Sequence, residues 1–259
     1  MILIMLIDTH THIFLEDFKH DIDKIIERAL KSNVQLCFLP NIDQSTIADM
    51  HSLCDQYPSH CLPMMGLHPC SVKGDFKNEL KHIESHLNKR QYYGIGETGI
   101  DLYWDKSFYK EQVFALETHI QWAKGMGLPI ILHCRDSFNE VYNIINKHQD
   151  GRLTGVFHCF TGSVDDAKKI IDVGFMMGIG GVATFKNGGL DKSLINISLE
   201  HLVLETDAPY LTPTPFRGKR NEPSYIEYVV KKLSDIYQES KDEIAHLTTN
   251  NAKCLFKLT

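Results

Sequence analysis

The sequence predicts an α/β chain folded as one domain over residues 1–259, a (β/α)8 TIM barrel with an extra C-terminal helix. Three observations carry that expectation. Eight short apolar segments alternate with amphipathic ones. The apolar segments are mostly continuous runs, as expected for strands covered on both faces. A length of 259 residues is usual for one such barrel. The alternative, a doubly wound open sheet, lacks a Gly-rich loop after the first segment.

The strand segments are Leu3–Asp8, Val34–Leu39, Leu62–Gly66, Tyr92–Gly96, Ile130–His133, Gly155–His158, Phe175–Gly178 and Leu202–Glu205. Between them, Asp21–Lys31 carries Ile22, Ile25, Ile26 and Ala29 on one helical face, and Phe108–Gly125 carries Val113, Leu116, Ile120 and Ala123. Ser163–Val173 opens on Ser163 as a cap, with Asp165 and Asp166 in the first turn. The seventh connection, Asn187–Asn196, has the weakest helical pattern. Tyr225–Tyr237 follows the last strand, and Asp242–Phe256 is the extra helix.

Bulk composition narrows the function classes. The net charge of −6 opposes a broad cationic surface for gripping duplex nucleic acid. Metal ions would still supply local positive charge. No apolar run is long enough for a membrane span, and MILIMLID reads as a buried first strand with no basic segment of a signal peptide. Seven scattered cysteines with no C-x-x-C pair fit a reducing, cytoplasmic setting.

Chemistry in such barrels gathers at the C-terminal strand ends. Here those ends read Asp8-Thr9-His10-Thr11-His12, Gly96-Glu97-Thr98-Gly99, His133-Cys134-Arg135, His158-Cys159-Phe160 and Glu205-Thr206-Asp207. Five of them deliver imidazole or carboxylate to one rim. Side chains two apart on extended backbone point the same way, so His10 and His12 reach one ion together. Imidazole with carboxylate suits Zn, Mn or Fe, and carboxylate-rich sites extend that to Mg. Six ligands exceed one tetrahedral ion and match two: His10, His12 and Asp207 on one, His133 and His158 on the other, with Glu97 shared. A pair of ions can activate a water as nucleophile and clamp a phosphoryl group. Each residue alone has an ordinary structural reading as a core histidine, a cap or an ion-pair partner; the coincidence at five strand ends is what speaks for metal.

Other groups fall around this rim. Glu205, with the strand parity of Asp207, would orient a ligand histidine or the attacking water, and Asp207 is the candidate general base. His68 and Arg135 are candidate substrate contacts, as are Arg217 and Lys219 in the cationic loop Arg217-Gly218-Lys219-Arg220, where such barrels often hold phosphate. Phe160 and Phe216 read as packing before base stacking. Cys134 and Cys159 read as small buried residues turned away from the ions.

The ordered set DTHTH, GLHP, GETGID, HCRD, HCFTG, ETDAPYLTP, RGKRNEP and NNAKCLF resembles the TatD family of metal-dependent deoxyribonucleases, in the amidohydrolase superfamily, from Asp8 to Phe256. The resemblance implies the metal-dependent hydrolase type of barrel, the same six ligands and a catalytic role for Glu205. It implies hydrolysis of phosphodiester bonds in DNA, trimmed from 3′ ends with a preference for single strands; the chain is expected to act as a monomer on DNA, with no membrane partner. Amide or ester hydrolysis of a small molecule, or of an aminoacyl–nucleic acid ester, is the second reading. Many amidases of that superfamily bridge their metals with a carboxylated lysine where this chain has Glu97. Nucleic-acid binding without catalysis is the third reading, opposed by the net charge and the full ligand set.

Overall fold

A computed structural model describes residues 5–186 and 188–258. Its strands are β1 (Leu6–Asp8), β2 (Val34–Pro40), β3 (Cys61–Met64), β4 (Ile95–Asp101), β5 (Ile130–Arg135), β6 (Gly155–Phe157), β7 (Met176–Ile179) and β8 (Leu202–Leu204). Pairing is parallel throughout, in the orders β1-β2-β3 and β4-β5-β6-β7-β8. Backbone bonds join these two runs at both seams. Gly96 N–H donates to the Met65 carbonyl at 2.9 Å, and Thr9 N–H donates to the Leu204 carbonyl at 2.9 Å. The Asp8 carboxylate adds bonds from Thr206 N–H at 2.9 Å and the Thr206 hydroxyl at 2.5 Å. Leu3 and Ile4 of the expected first strand lie outside the described residues.

Helices α1 (Ile22–Lys31), α2 (Ile47–Gln56), α3 (Phe76–Leu87), α4 (Tyr109–Met126), α5 (Phe138–His148), α6 (Val164–Asp172), α7 (Leu190–Leu194) and α8 (Ile226–Tyr237) fill the connections, and α9 (Lys241–Leu255) follows. Ser163 caps α6 as expected, in a reciprocal pair with Asp166. The expected seventh helix shrinks to α7, five residues long; Asn187 of that segment is not among the described residues.

The apolar side chains divide by strand parity. Ile7, Phe38, Leu62, Met64, Ile131, Val156 and Val203 fill the barrel interior, and their neighbours in sequence pack outward against the helices. Ala252, Leu255 and Phe256, at the end of α9, join the interior group, with the Phe256 ring 4.1 Å from that of Phe38. Thr249 on α9 also bonds the carbonyl of Met5, just before β1. The extra helix therefore seals the N-terminal mouth of the barrel, leaving the opposite mouth for ligands.

Strand β4 departs from the expectation. It begins at Ile95, three residues later than expected, and runs to Asp101. The glycines in GETGID look like strand terminators but sit inside a buried strand, because neighbours crowd them. A Cβ on Gly99 would stand 2.0 Å from the His133 carbonyl oxygen. Glu97 consequently lies within β4, beside a break in the pairing register between Ile95 and Thr98.

Candidate metal centre

Segments from six strands meet at the open mouth. The ring tips of His10 and His12 approach to 3.1 Å between Nε2 atoms, and these nitrogens lie 3.1 and 3.5 Å from Glu97 Oε2. Asp207 Oδ1 completes this group, 3.4 Å from His12 Nε2 and 3.8 Å from His10 Nε2. The other Glu97 oxygen, Oε1, faces His133 Nδ1 at 2.8 Å and His158 Nε2 at 3.8 Å. The His10 ring stacks on His158 with centroids 3.6 Å apart, and these two with Asp207 also offer converging ligand atoms. All six metal-ligand candidates read from the sequence are thus brought together.

The donor chemistry of this cluster fits a metal ion. His12 Nδ1 faces the Pro40 carbonyl, which only accepts, so that nitrogen carries the proton and Nε2 turns its lone pair inward. Two imidazole nitrogens and a carboxylate oxygen then converge on one buried point, with Glu97 only 2% exposed. Such an arrangement needs positive charge between its members, supplied by protons on the rings or by a metal ion that displaces them.

Protonation states follow from the same geometry. Burial opposes charge on His12, but the Asp207 and Glu97 carboxylates outweigh it and hold the ring up at about 9. Burial is likewise overcome at His158, which Glu205 and Glu97 raise to about 10. Burial lowers His10, assisted by the charge of His158. Burial would raise Glu97, but the surrounding imidazoles hold it well below the usual carboxylate range.

His68 follows β3 and brings Nε2 to 3.3 Å from Glu97 Oε1, close enough by distance to join His133 as a ligand. Its tautomer argues otherwise. Cys70 N–H donates to His68 Nδ1 at 3.1 Å, so the proton of the neutral ring sits on Nε2. Burial lowers the pKa and keeps the ring neutral. His68 therefore turns an N–H donor, not a metal-binding lone pair, toward Glu97 Oε1, and its ring is 17% exposed at the mouth.

Glu205 is buried beneath His158. Its Oε1 accepts Cys159 N–H at 2.6 Å and stands 3.0 Å from His158 Nδ1, which positions that ring. Gly178 makes the room: a Cβ there would lie 2.1 Å from Glu205 Oε2. The parity argument linking Glu205 to Asp207 does not survive. Strand β8 stops at Leu204, and Asp207 has φ of +56°, so a turn, not the pleat, aims it at His12. Asn221 fixes this turn by donating to the Thr206 and Tyr210 carbonyls at 2.8 and 2.7 Å.

The cationic loop is partly committed. Arg220 forms a bidentate pair with Asp21, at 3.0 and 2.6 Å. Arg217 lies 3.6 Å over the Phe185 ring and Lys219 5.6 Å from Phe216, both exposed. Phe216 stacks on Tyr225 at 4.6 Å and Phe160 is buried, so both pack as expected. Cys134 and Cys159 are half-buried, not buried. They line a cavity of about 350 Å³ shared with His158, because the chain turns at Cys159, with φ of +50°.

Sequence reasoning missed Asp101. Its Oδ2 accepts from His133 Nε2 at 3.0 Å, which leaves Nδ1 free to turn a lone pair toward Glu97. Its shared parity with Glu97 in GETGID was the available signal, hidden by ending the strand at Gly96. His119 was missed as well: buried in α4, it accepts Leu67 N–H at 3.0 Å and so steadies the backbone before His68. We expect Asp101→Asn to weaken divalent-ion affinity about 10- to 100-fold, as loss of a carboxylate behind a ligand histidine does elsewhere. Competition with a chromogenic chelator checks this; unchanged affinity would show that Asp101 serves only the loop.

The family model of TatD-related DNase matches residues 7–257. The uncharacterized metal-dependent hydrolase YabD of Bacillus subtilis is 36% identical over 255 residues, covering 98% of this chain and 100% of YabD. YjjV of Escherichia coli, likewise an uncharacterized metal-dependent hydrolase, is 30% identical over 97% of this chain and 98% of its own. The crystal structure of YjjV superposes with a TM-score of 0.92, at 28% identity in that alignment, over 98% of both chains. With a buried cluster of histidine and carboxylate ligands at the open mouth of its barrel, the chain belongs to the TatD family of metal-dependent hydrolases.

Proposed function

We propose that this hydrolase cleaves phosphodiester bonds of DNA, as a cytoplasmic monomer trimming single-stranded 3′ ends, with two divalent ions at the centre. The observation that carries the reading is Glu97, whose two oxygens face different donor groups: His10, His12 and Asp207 at Oε2, His133 and His158 at Oε1. These residues would hold two divalent ions, and both would draw on the Glu97 carboxylate. Ions bound there supply Lewis acidity toward a phosphoryl oxygen and lower the pKa of water.

The chain's own groups complete the reaction. Asp207, the most solvent-accessible carboxylate of the cluster at 13% exposure, takes a proton on the oxygen turned away from His12. His68 Nε2–H donates to a phosphoryl oxygen. Arg135 and the exposed Arg217 and Lys219 hold neighbouring phosphates. Glu205 and Asp101 keep His158 and His133 in register.

The test is degradation of end-labelled single- and double-stranded oligonucleotides with Mg, Mn and Zn each supplied, then with chelator. A chelator-sensitive ladder shortening from the 3′ end of single strands is expected; intact substrate with every metal would sink the reading. One observation favours the alternative of an aminoacyl–nucleic acid ester. The cavity beside His158 carries Asp136 and Glu140 on its wall, suited to an ammonium group. Release of amino acid from such an ester, without cleavage of the oligonucleotide, would favour it.

A further inference from the structure

Two of the largest exposed apolar side chains stand beside the metal centre. Tyr103 and Trp104 are 55% and 67% exposed, in the loop after β4. Their rings meet edge to face, with centroids 5.0 Å apart at 87°. The loop that bears them is held firmly. Asp101 Oδ1 accepts both Tyr103 N–H and Trp104 N–H at 2.9 Å, while Oδ2 of the same carboxylate accepts from His133. One buried side chain thus ties the aromatic pair to a metal-ligand candidate.

Arg135, two residues beyond His133, lays its guanidinium 4.2 Å from the Tyr103 ring centre and 5.4 Å from that of Trp104. Among the described residues no carboxylate pairs with Arg135. Its N–H groups remain available to an anion while its face is spent on the rings. Another exposed aromatic, Tyr210, is 52% exposed and comes from the opposite side of the barrel, after β8. It contacts His12 edge to face at 6.3 Å.

We propose that Tyr103, Trp104 and Arg135 form a platform on which one unpaired nucleobase stacks while its adjoining phosphodiester sits at the metal centre. The inference rests on the phosphodiesterase reading and deepens it. Every nucleobase presents a π face, so the platform is tolerant of sequence, and Arg135 adds a contact to the neighbouring phosphate. A base within a duplex has both faces covered by its neighbours. The platform therefore admits single strands and frayed ends and supplies the strand preference without a cationic groove, in keeping with a chain of net charge −6.

The experiment reads Trp104 fluorescence in metal-loaded Trp122→Phe protein, which leaves one tryptophan of the two. The probes are a phosphorothioate-linked oligothymidylate and a matched strand in which abasic linkers replace the bases. The base-bearing strand should quench Trp104 and bind about 5- to 100-fold more tightly than the abasic strand. Tyr103→Ala should shrink that ratio. In anisotropy titrations, Trp104→Ala should bring it close to one, and Trp104→Phe should keep part of it. Both positions are exposed, so these variants fold.

Equal binding of the two strands, or a ratio that survives both alanine substitutions, would overturn the platform. Cleavage of DNA with no base dependence would overturn it too, while leaving the phosphodiesterase reading intact. Base-dependent quenching without cleavage of the phosphodiester-linked strand would support the platform and remove the nuclease reading instead.

Discussion

Glu97→Gln is expected to leave a folded barrel that binds divalent ions roughly 200- to 5,000-fold more weakly and hydrolyses its substrate at background rate. The magnitude corresponds to removing one partner from a buried charge cluster, about 3–5 kcal/mol. Glutamine keeps the shape, so the fold should persist, but it loses the charge that lets His10, His12, His133 and His158 share a buried space. Its amide nitrogen would also turn a donor toward one of the two ligand groups. Metal content by elemental analysis, alongside circular dichroism and oligonucleotide hydrolysis, checks the prediction. A variant that retains full metal stoichiometry would mean that Glu97 is not shared between ions.

The second large effect is on protons. In metal-free protein His12 and His158 titrate at about 9 and about 10, because carboxylate neighbours outweigh their burial. Both values lie above the ordinary 6.5 of an unfolded chain. These histidines therefore stabilise the metal-free fold fully below pH 6.5, and that contribution is lost as pH rises through 9 and 10. A metal ion must displace the same protons.

Affinity for the ion at His12 should accordingly rise about tenfold per pH unit near pH 7 and flatten beyond pH 9, and affinity for the ion at His158 should rise at least as steeply and flatten near pH 10, because His133 beside it is raised as well. Calorimetry in buffers of different ionisation enthalpy counts the protons released. Melting temperatures should fall from pH 7 to pH 10 in metal-free protein and hold in the loaded form. Release of no proton on binding would show that the imidazoles are already neutral and the carboxylates weaker partners than their distances imply.

Most of the molecule was legible in its sequence for two physical reasons. Buried parallel strands are continuous apolar runs, so seven of the eight segments fall within a few residues of their observed bounds. Metal ligands must be histidine and carboxylate, and the barrel brings every strand end to one rim, so residue type and strand position together were enough to assemble His10, His12, Glu97, His133, His158 and Asp207.

What the sequence by itself determined, then, is the barrel and the set of candidate ligands that its rim brings together. The tertiary structure decided how each ligand is held. The displacement of β4 follows from how closely β5 approaches Gly99, a contact with no local signature. The roles of His68, Glu205 and Asp101 depend on which nitrogen of a ring carries its proton. For His68 and His133 that is set by a single donor or acceptor arriving from elsewhere, Cys70 N–H and the Asp101 carboxylate, while Glu205 places its charge 3.0 Å from His158 Nδ1. The cationic loop is similar, since its charge run says nothing of Asp21 waiting 199 residues away to claim Arg220. Ligand type is a property of a residue and can be read along the chain. Proton placement and charge pairing are properties of neighbours, and only the folded chain brings those neighbours together.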